Sequence, residues 1–348
     1  QTKTYTGNGS SGHAITLDGD EDMQPDWVWI KSRSDTEQHT LYDSSRGGSK
    51  RLMSDAATAE YDDSDQGLQS FDSDGFTLGE NDQNNKSSQN CVAWNWKANG
   101  GSEVSVSASG SGITDILASN HQANTTAGFS IVRWTSVNSE AYVSHGLGAV
   151  PHCYIVKDRE NGSANWMMYH KDTGGDAGMI FNTTAARDVS SFWRNSDAAN
   201  TGDPTSSIFK LGTQGYTGGH TNDMIAYCWT PIQGYSKFGT YEGNGNANGP
   251  FVYTGFKPAF VMIKVSVGNT GGWDMYDNKR APFNDSAAML QANASGAEQT
   301  SDVVDFLSNG FKIRSTSGNQ NGDGNTHIYM AFAEQPFVTS GGVPCTAR

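Results

Sequence analysis

The stretch QPDWVWIKSR, residues 24–33, decides the fold class of this chain because the same pattern is written three times. Its counterparts are VPHCYIVKDR (150–159) and KPAFVMIK (257–264). Each copy has a proline, one intervening residue, four apolar residues and a lysine. Proline is tolerated at the start of a strand, where a missing N–H costs little, so the pattern predicts three copies of one β-strand.

The four apolar residues of the first copy predict a strand that is covered on both sides. Alternate side chains of a strand point to opposite faces, so Trp27 and Trp29 share one face while Val28 and Ile30 share the other. Both faces are apolar, which is typical of a central strand. We expect the lysine that follows, in this copy and in the other two, to end the buried stretch at the surface with its stem lying on apolar neighbours.

The motifs downstream of each copy recur in the same order, which indicates an internal repeat. The first copy is followed by HTLYDSSRG (39–47), FDSDGFTLG (71–79) and NCVAWNWK (90–97). The second and third copies are followed by counterparts that end in DMIAYCWT (223–230) and HIYMAFAE (327–334). Two copies are also preceded by Gly-Asn-Gly segments, whose residues tolerate the positive φ of tight turns.

The repeat predicts an all-β chain of tandem β-sandwich units of the jelly-roll type, with almost no helix. We place the three units at residues 4–98, 129–233 and 237–337. The Gly/Ser-rich segment 99–128 is interpreted as a linker or a draped arm, and 338–348 as a C-terminal extension.

The amino-acid composition limits which kinds of binding partner and which compartment fit this chain. The 348 residues carry 37 acidic and 23 basic side chains, a net charge of −14, which argues against nucleic acid or an anionic membrane as the partner. No apolar run approaches the length of a membrane span. Abundant Gly with few charged residues is typical of an extracellular or virion protein. The cysteines have no CxxC spacing, and three of them read as small buried hydrophobes: Cys91, Cys153 and Cys228, with Cys345 beyond.

Several longer stretches resemble a repeat family of structural proteins from marine bacteriophages. They are TAGFSIV (126–132), SHGLGAVPHCYIVKDR (144–159), the segment 226–264, DFLSNGFK (305–312) and IYMAFAEQPFVTSGGVP (328–344). The resemblance implies concanavalin A-like sandwiches in a non-enzymatic virion protein at the particle surface, of tail-fibre or appendage type, which contacts other virion proteins and presents lectin-like loops to a host-surface glycan. A purely architectural virion protein, such as a capsid decoration or head appendage, is the alternative, and a glycan depolymerase is a remote one.

One polar constellation recurs at identical spacing in the first and third copies. It comprises Tyr42, Asp43 and Arg46 in the first, and Tyr276, Asp277 and Arg280 in the third. Asp and Arg are suitable ligands for sugar hydroxyls or an acidic glycan, with Tyr as a stacking platform. The alternative is a structural Asp–Arg pair that fixes a turn, with Tyr in the core. The second copy departs from the pattern, since it has His170 at the Asp position.

The loops after the central strands are the second candidate glycan site, because binding groups tend to lie on loops held by a rigid scaffold. They are SRSDTEQH (32–39), DRENGSAN (158–165) and VSVGNTGG (265–272), and they predict a site at Asn165 and Trp166 and at Trp273 and Asp274. The alternative places both tryptophans in the core.

Metal binding and catalysis have weaker signals. Three acidic loops, DGDED (18–22), DDSDQG (62–67) and NQNGDG (319–324), have the alternating oxygen ligands that calcium accepts, but solvated turns are the preferred explanation. The sequence contains no HxxxH pattern and no GxSxG elbow, so no catalytic residue is assigned. We expect a homo-oligomer, with a trimer favoured, because small sandwiches on short connections need association to become rigid.

Overall fold

The computed structural model describes residues 1–110, 115–190, 192–194 and 201–334. This part of the chain is built from antiparallel β-strands, which confirms the predicted all-β sandwich class. Its helices are single turns: α1 (Asp82–Asn85), α2 (Gly318–Asn321) and a 3-10 turn at Ser64–Gln66. No helix in the described chain has the length and apolar character needed to cross a bilayer. The proposed extension 338–348 and Cys345 lie outside the described residues.

Unit 1 is a sandwich of a large sheet, ordered β1-β9-β3-β4-β5-β6, and a small sheet, ordered β2-β8-β7. Its strands are β1 (Thr2–Thr6), β2 (His13–Thr16), β3 (Trp27–Ser32), β4 (Thr40–Asp43), β5 (Gly47–Leu52), β6 (Tyr61–Asp62), β7 (Leu68–Asp72), β8 (Gly75–Leu78) and β9 (Asn90–Trp96).

Unit 2 has a large sheet, ordered β10-β11-β12-β18-β14-β15-β16, and a small sheet of β13 and β17. Its strands are β10 (Val104–Val106), β11 (Ser119–Asn124), β12 (Phe129–Thr135), β13 (Ala141–Ser144), β14 (Cys153–Asp158), β15 (Met167–His170), β16 (Met179–Ile180), β17 (Ile208–Leu211) and β18 (Asp223–Trp229).

Unit 3 has a large sheet, ordered β19-β26-β21-β22-β23, and a small sheet, ordered β20-β25-β24. Its strands are β19 (Ser236–Glu242), β20 (Phe251–Tyr253), β21 (Phe260–Val267), β22 (Trp273–Asp277), β23 (Leu290–Gln291), β24 (Val304–Leu307), β25 (Gly310–Ile313) and β26 (Thr326–Phe332).

The strand that follows each proline is central, as its two apolar faces predicted. In unit 1, β3 lies between β4 and β9, and β14 and β21 occupy the same place in units 2 and 3. Val28 and Ile30 face the small sheet, where they pack with Phe76 in an outer core. Trp27 and Trp29 face the opposite way, into a separate core. The prediction of a strand buried on both faces is therefore confirmed.

The three units share one central core, formed by the large-sheet faces that point away from the small sheets. It contains Trp27 and Trp94 from unit 1, Tyr227 from unit 2, and Phe260 and Met330 from unit 3, among others. The Trp27 and Tyr227 rings stack with centroids 4.3 Å apart. Each unit thus leaves a large apolar face that only the other two units cover, which makes the described chain one packed body rather than a string of separate sandwiches.

The segment expected to be a linker or arm forms part of unit 2 instead. β11 pairs with β12 over six residue pairs, from Ser119–Trp134 to Asn124–Phe129, and β10 pairs with β11. Its Ser- and Asn-rich sequence suits a sheet edge, where one side of the strand faces water.

The Gly-Asn-Gly segments are held by asparagines from the short helices. Asn85 of α1 accepts a hydrogen bond from the backbone N–H of Asn8 at 3.0 Å, and Asn321 of α2 does the same for Asn244 at 2.8 Å. The glycine after each loop asparagine has a positive φ, at Gly9 (67°) and Gly245 (63°), which is why glycine stands there.

Candidate functional site

Asp43, at the end of β4, lies where unit 1 meets unit 2. Its Oδ2 accepts hydrogen bonds from Nε of Arg46 at 2.5 Å and from the hydroxyl of Tyr227 at 2.6 Å. Arg46 also donates to Glu60 at 3.0 Å, and Glu60 in turn is bound by Arg159 of unit 2 at 2.8 Å. Burial opposes the charge on Arg46, yet the neighbouring Asp43 carboxylate raises its pKa above the ordinary value. We call these five residues the first joint.

The same arrangement recurs where unit 3 meets unit 1. Oδ2 of Asp277 accepts from Nε of Arg280 at 2.6 Å and from Nε1 of Trp94 at 3.0 Å. Arg280 donates to Glu298 at 3.1 Å, and Arg33 of unit 1 binds the same carboxylate at 2.8 Å. This second joint matches the first position for position, with Trp94 in place of Tyr227, so the repeated Asp–Arg spacing builds an interface between units.

The third joint, between units 2 and 3, keeps the backbone contact and changes the side chains. In the first joint the N–H of Glu60 donates to the carbonyl of Arg159 at 2.7 Å. In the third the N–H of Arg187 donates to the carbonyl of Ser266 at 3.1 Å. His170 replaces the aspartate, and its Nε2 lies 3.3 Å from the Tyr329 carbonyl.

The changes in the third joint are mutually consistent. Thr173 stands where Arg46 and Arg280 stand in the other joints, and Met330 stands where the strand register places Tyr227 and Trp94. A methionine cannot donate a hydrogen bond to a buried carboxylate. The joint therefore lacks both the donor and the guanidinium that an aspartate would need, and burial lowers the pKa of His170 to about 4, which keeps the imidazole neutral.

Tyr42 and Tyr276, the predicted stacking platforms, are also buried. The Tyr42 hydroxyl donates to Asp63 at 2.7 Å, and the Tyr276 hydroxyl donates to the carbonyl of Asp302 at 2.7 Å. Neither ring has an exposed face. Both Tyr–Asp–Arg sets thus have the structural role that was the alternative interpretation, with Tyr in the core. A glycan has no access to these buried side chains.

Trp166 and Trp273 lie in the central core and not on a binding loop. Both are at most 1% exposed, and Nε1 of Trp166 donates to the carbonyl of Met53 in unit 1 at 2.8 Å. The predicted glycan site at these residues is therefore wrong in this structure, because the loops that precede β15 and β22 turn inward toward the neighbouring unit. The core alternative is the correct interpretation.

The polar neighbours of these tryptophans have local partners. Asn165 accepts a hydrogen bond from Asn182 at 2.9 Å. Asp274 is fully buried and accepts from the side-chain amides of Gln291 and Gln320. Burial raises the pKa of Asp274 to about 7, with the nearby Asp302 acting in the same direction. Asp274 is thus a buried carboxyl that is protonated in a large fraction of molecules near pH 7, not a surface ligand.

The lysines at the ends of the central strands are not at the surface, contrary to prediction. All three are fully buried: Lys31, Lys157 and Lys264. Nζ of Lys157 donates to the carbonyl of Ala57 in unit 1 at 3.1 Å, and Nζ of Lys264 donates to that of Thr184 in unit 2 at 3.0 Å. Burial lowers the pKa of all three to about 8. Their ammonium groups cap backbone carbonyls, two of them across joints.

Within the described residues, no group of three or more His, Cys, Asp or Glu side chains is placed to hold a metal ion. In the acidic loops Asp18 pairs with Lys3 at 3.2 Å and Asp62 pairs with Lys50 at 2.6 Å, while the third loop begins with α2. Solvated turns stay the preferred interpretation of these loops, with calcium as the alternative. Cys91, Cys153 and Cys228 are free and buried, as expected for small hydrophobes.

The surface offers a different set of aromatic residues, which the sequence reasoning missed. Among the residues that the structure describes, four are strongly exposed: Tyr61 (57%), Phe251 (46%), Tyr253 (55%) and Phe283 (82%). Two of them lie on β20, where they alternate with the buried Val252. The segment PFVYTG (250–255) carried the signal, since its period of 2 puts both rings on one face of an edge strand.

A family model described as a domain of unknown function, DUF7483, matches residues 1–336. No curated protein and no solved structure shows significant similarity to the chain.

Proposed function

The chain belongs to the DUF7483 family, whose function is unknown, and we propose that it is a non-enzymatic structural protein of a bacteriophage particle. In this proposal the three units act as one rigid building block at the particle surface that packs against other virion proteins. The virion context comes from the resemblance of the repeat segments to phage structural proteins. We favour this architectural role over adhesion through the loop tryptophans.

The observation that carries the proposal is the burial of the tryptophan side chains. An adhesin built on these loops would expose Trp or Tyr there, whereas an architectural protein would bury them. All nine tryptophans of the sequence are buried. Large aromatic side chains supply much buried area per residue, so the chain uses them for cohesion between units.

The polar residues support the same role. The two Asp–Arg pairs of the joints are fully buried and fixed by charge-assisted hydrogen bonds to residues of the neighbouring unit. Such pairs define how one unit sits on the next. A building block of a particle needs this kind of fixed geometry, because its outer contacts must match its neighbours.

The experiment that tests the proposal is to locate the chain in particles of a phage whose genome encodes it. Mass spectrometry of gradient-purified particles is expected to detect the chain at a fixed copy number, and antibody labelling in electron micrographs is expected to mark the particle surface. Presence in infected-cell lysate with absence from purified particles would refute a virion role.

Oligomerisation of the full-length chain stays a prediction, but the need for rigidity is no longer its physical reason. The shared core supplies within one chain the rigidity for which oligomerisation was invoked. A homotrimer of full-length chains is still our expectation for a particle component. Light scattering at micromolar concentration distinguishes it from a monomer.

A further inference from the structure

The exposed face of β20 carries two aromatic side chains to which the proposed function gives no role. Phe251 and Tyr253 project from the outer face of the small sheet in unit 3, with 46% and 55% of their surface exposed, while Val252 between them packs in the core. Large aromatic rings exposed on the same face of a strand are unusual in a chain that buries all its tryptophans, and they offer apolar surface to a ligand.

The equivalent strand in unit 1 shows that the fold does not need these rings. Ile15 of β2 pairs with Phe76, as Val252 pairs with Phe311, so the two strands have the same register. The outward positions on either side of Ile15 are Ala14 and Thr16, both small and exposed. The sandwich is therefore satisfied by small residues at these positions, and the aromatic pair of unit 3 has some other role.

Two lysines frame the aromatic pair. Nζ of Lys237 lies 5.0 Å from the centre of the Tyr253 ring and donates to the Tyr253 carbonyl at 2.7 Å. Lys312 is the cross-strand neighbour of Phe251, and its Nζ donates to the carbonyl of Gly249 at 2.8 Å. Backbone carbonyls thus hold both ammonium groups, and that of Lys237 lies beside the Tyr253 ring.

Neither lysine forms a direct ion pair with a described residue, although Lys312 acts electrostatically on the neighbouring Asp305 carboxylate. Within the part of the chain that the structure describes, Lys237 and Lys312 form no ion pair closer than 4.0 Å. Asp305, the other cross-strand neighbour of Lys312, is paired with Arg314 at 3.7 Å. On a chain of net charge −14, this is a place where a positive charge faces solvent next to apolar rings.

We propose that the surface formed by Phe251, Tyr253, Lys237 and Lys312, the β20 surface, binds an acidic polysaccharide. Sugar rings have apolar C–H faces that pack on the exposed aromatic rings, and the carboxylate or sulfate groups carried along such a polymer bind the ammonium groups. An acidic polypeptide without ring-bearing side chains, such as polyglutamate, satisfies the lysines but has nothing to pack on the two aromatic rings. The proposal goes beyond an architectural role, which requires no ligand.

The test measures binding of the full-length chain by isothermal titration calorimetry to four polymers: alginate as a polyuronate, dextran sulfate, neutral dextran and polyglutamate. We expect alginate or dextran sulfate to bind more tightly than dextran and polyglutamate. The affinity should fall as NaCl is raised from about 0.05 to 0.5 M, because the ionic part is screened. Failure of both acidic polysaccharides to bind, or equal binding of polyglutamate, overturns the assignment.

Matched variants then locate the site. The double variant Phe251→Ala/Tyr253→Thr copies the residues of unit 1 and is expected to fold with an unchanged melting temperature and to lose roughly tenfold or more in affinity. Lys237→Gln/Lys312→Gln should abolish the salt dependence. Tyr61→Ser, which removes a 57% exposed aromatic ring in unit 1, is the control and should bind as the wild type does. Full binding by the aromatic double variant would refute the β20 surface as the site.

Discussion

Replacing Asp43 by alanine is the most direct test of how the units are joined. The substitution removes the acceptor of three hydrogen bonds, from Nε and the backbone N–H of Arg46 and from the hydroxyl of Tyr227. Arg46 stays buried with Glu60 as its remaining carboxylate. Breaking a buried ion pair costs about 3 to 5 kcal/mol, and because Glu60 still compensates part of the charge we expect a loss of about 3 kcal/mol.

The assay is chemical unfolding of the full-length chain, followed by tryptophan fluorescence and far-UV circular dichroism. The transition midpoint should fall while the dependence on denaturant stays unchanged, since the surface exposed on unfolding is the same. Asp62→Ala is the matched control, because it removes an ion pair with Lys50 of similar length (2.6 Å) whose side chains are 36% and 51% exposed. Its expected cost is small, because an exposed ion pair contributes little to stability.

A second variant tests whether the loss comes from an uncompensated charge. The triple substitution Asp43→His/Arg46→Thr/Tyr227→Met copies the residues of the third joint, where no Asp–Arg pair exists. It should be more stable than Asp43→Ala, because no guanidinium is left without its carboxylate. A cost for Asp43→Ala within the range of Asp62→Ala would refute the reasoning.

Three further outcomes follow from the same structure. Trp29→Ala should cost about 3 to 5 kcal/mol because it empties part of the central core, whereas Tyr61→Ser, at a 57% exposed position, should change stability by less than about 0.5 kcal/mol. Burial raises the pKa of Asp274 from 3.8 to about 7, so the folded protein holds a proton that the unfolded chain releases, and stability falls as pH rises through this window. Asp274→Asn should therefore gain stability relative to the wild type between pH 4 and 8, by roughly 4 kcal/mol, and identical pH profiles would contradict this. Residues 1–98 expressed alone should give no sharp near-UV spectrum or cooperative melting, because their large sheet would expose four tryptophans of the central core; a cooperative transition would contradict the shared core.

The central strands were predictable from sequence because their information is local. In WVWI the period of 2 assigns each residue to a face, and the apolar character of both faces requires cover on both sides. The pattern does not say what provides that cover. One face of β3 is covered by the small sheet of its own unit and the other by units 2 and 3, and this difference depends on contacts between residues more than a hundred positions apart.

The wrong predictions about Lys157 and Trp166 also arise from contacts between units, which the local sequence does not show. Lys157 looked like a surface residue because a lysine after a strand usually reaches water, but the carbonyl of Ala57 in another unit caps it. Trp166 looked exposed because a polar loop precedes it, yet that loop turns into a joint. The repeated Asp–Arg spacing was visible in the sequence, while its partners Tyr227 and Trp94 belong to neighbouring units and share no motif with it.

The divergent third joint illustrates a freedom that comes with covalent linkage. In an assembly of three identical subunits, one codon change alters every interface at once, so a histidine suited to one contact would appear at all of them. Here each interface is encoded separately. His170, Thr173 and Met330 could therefore depart together from the aspartate, arginine and hydrogen-bond donor of the other joints. The same independence applies to the outer faces, where unit 3 carries two aromatic rings and unit 1 carries alanine and threonine. A fused triplet can thus keep the cohesion of a symmetric trimer while presenting three chemically different surfaces.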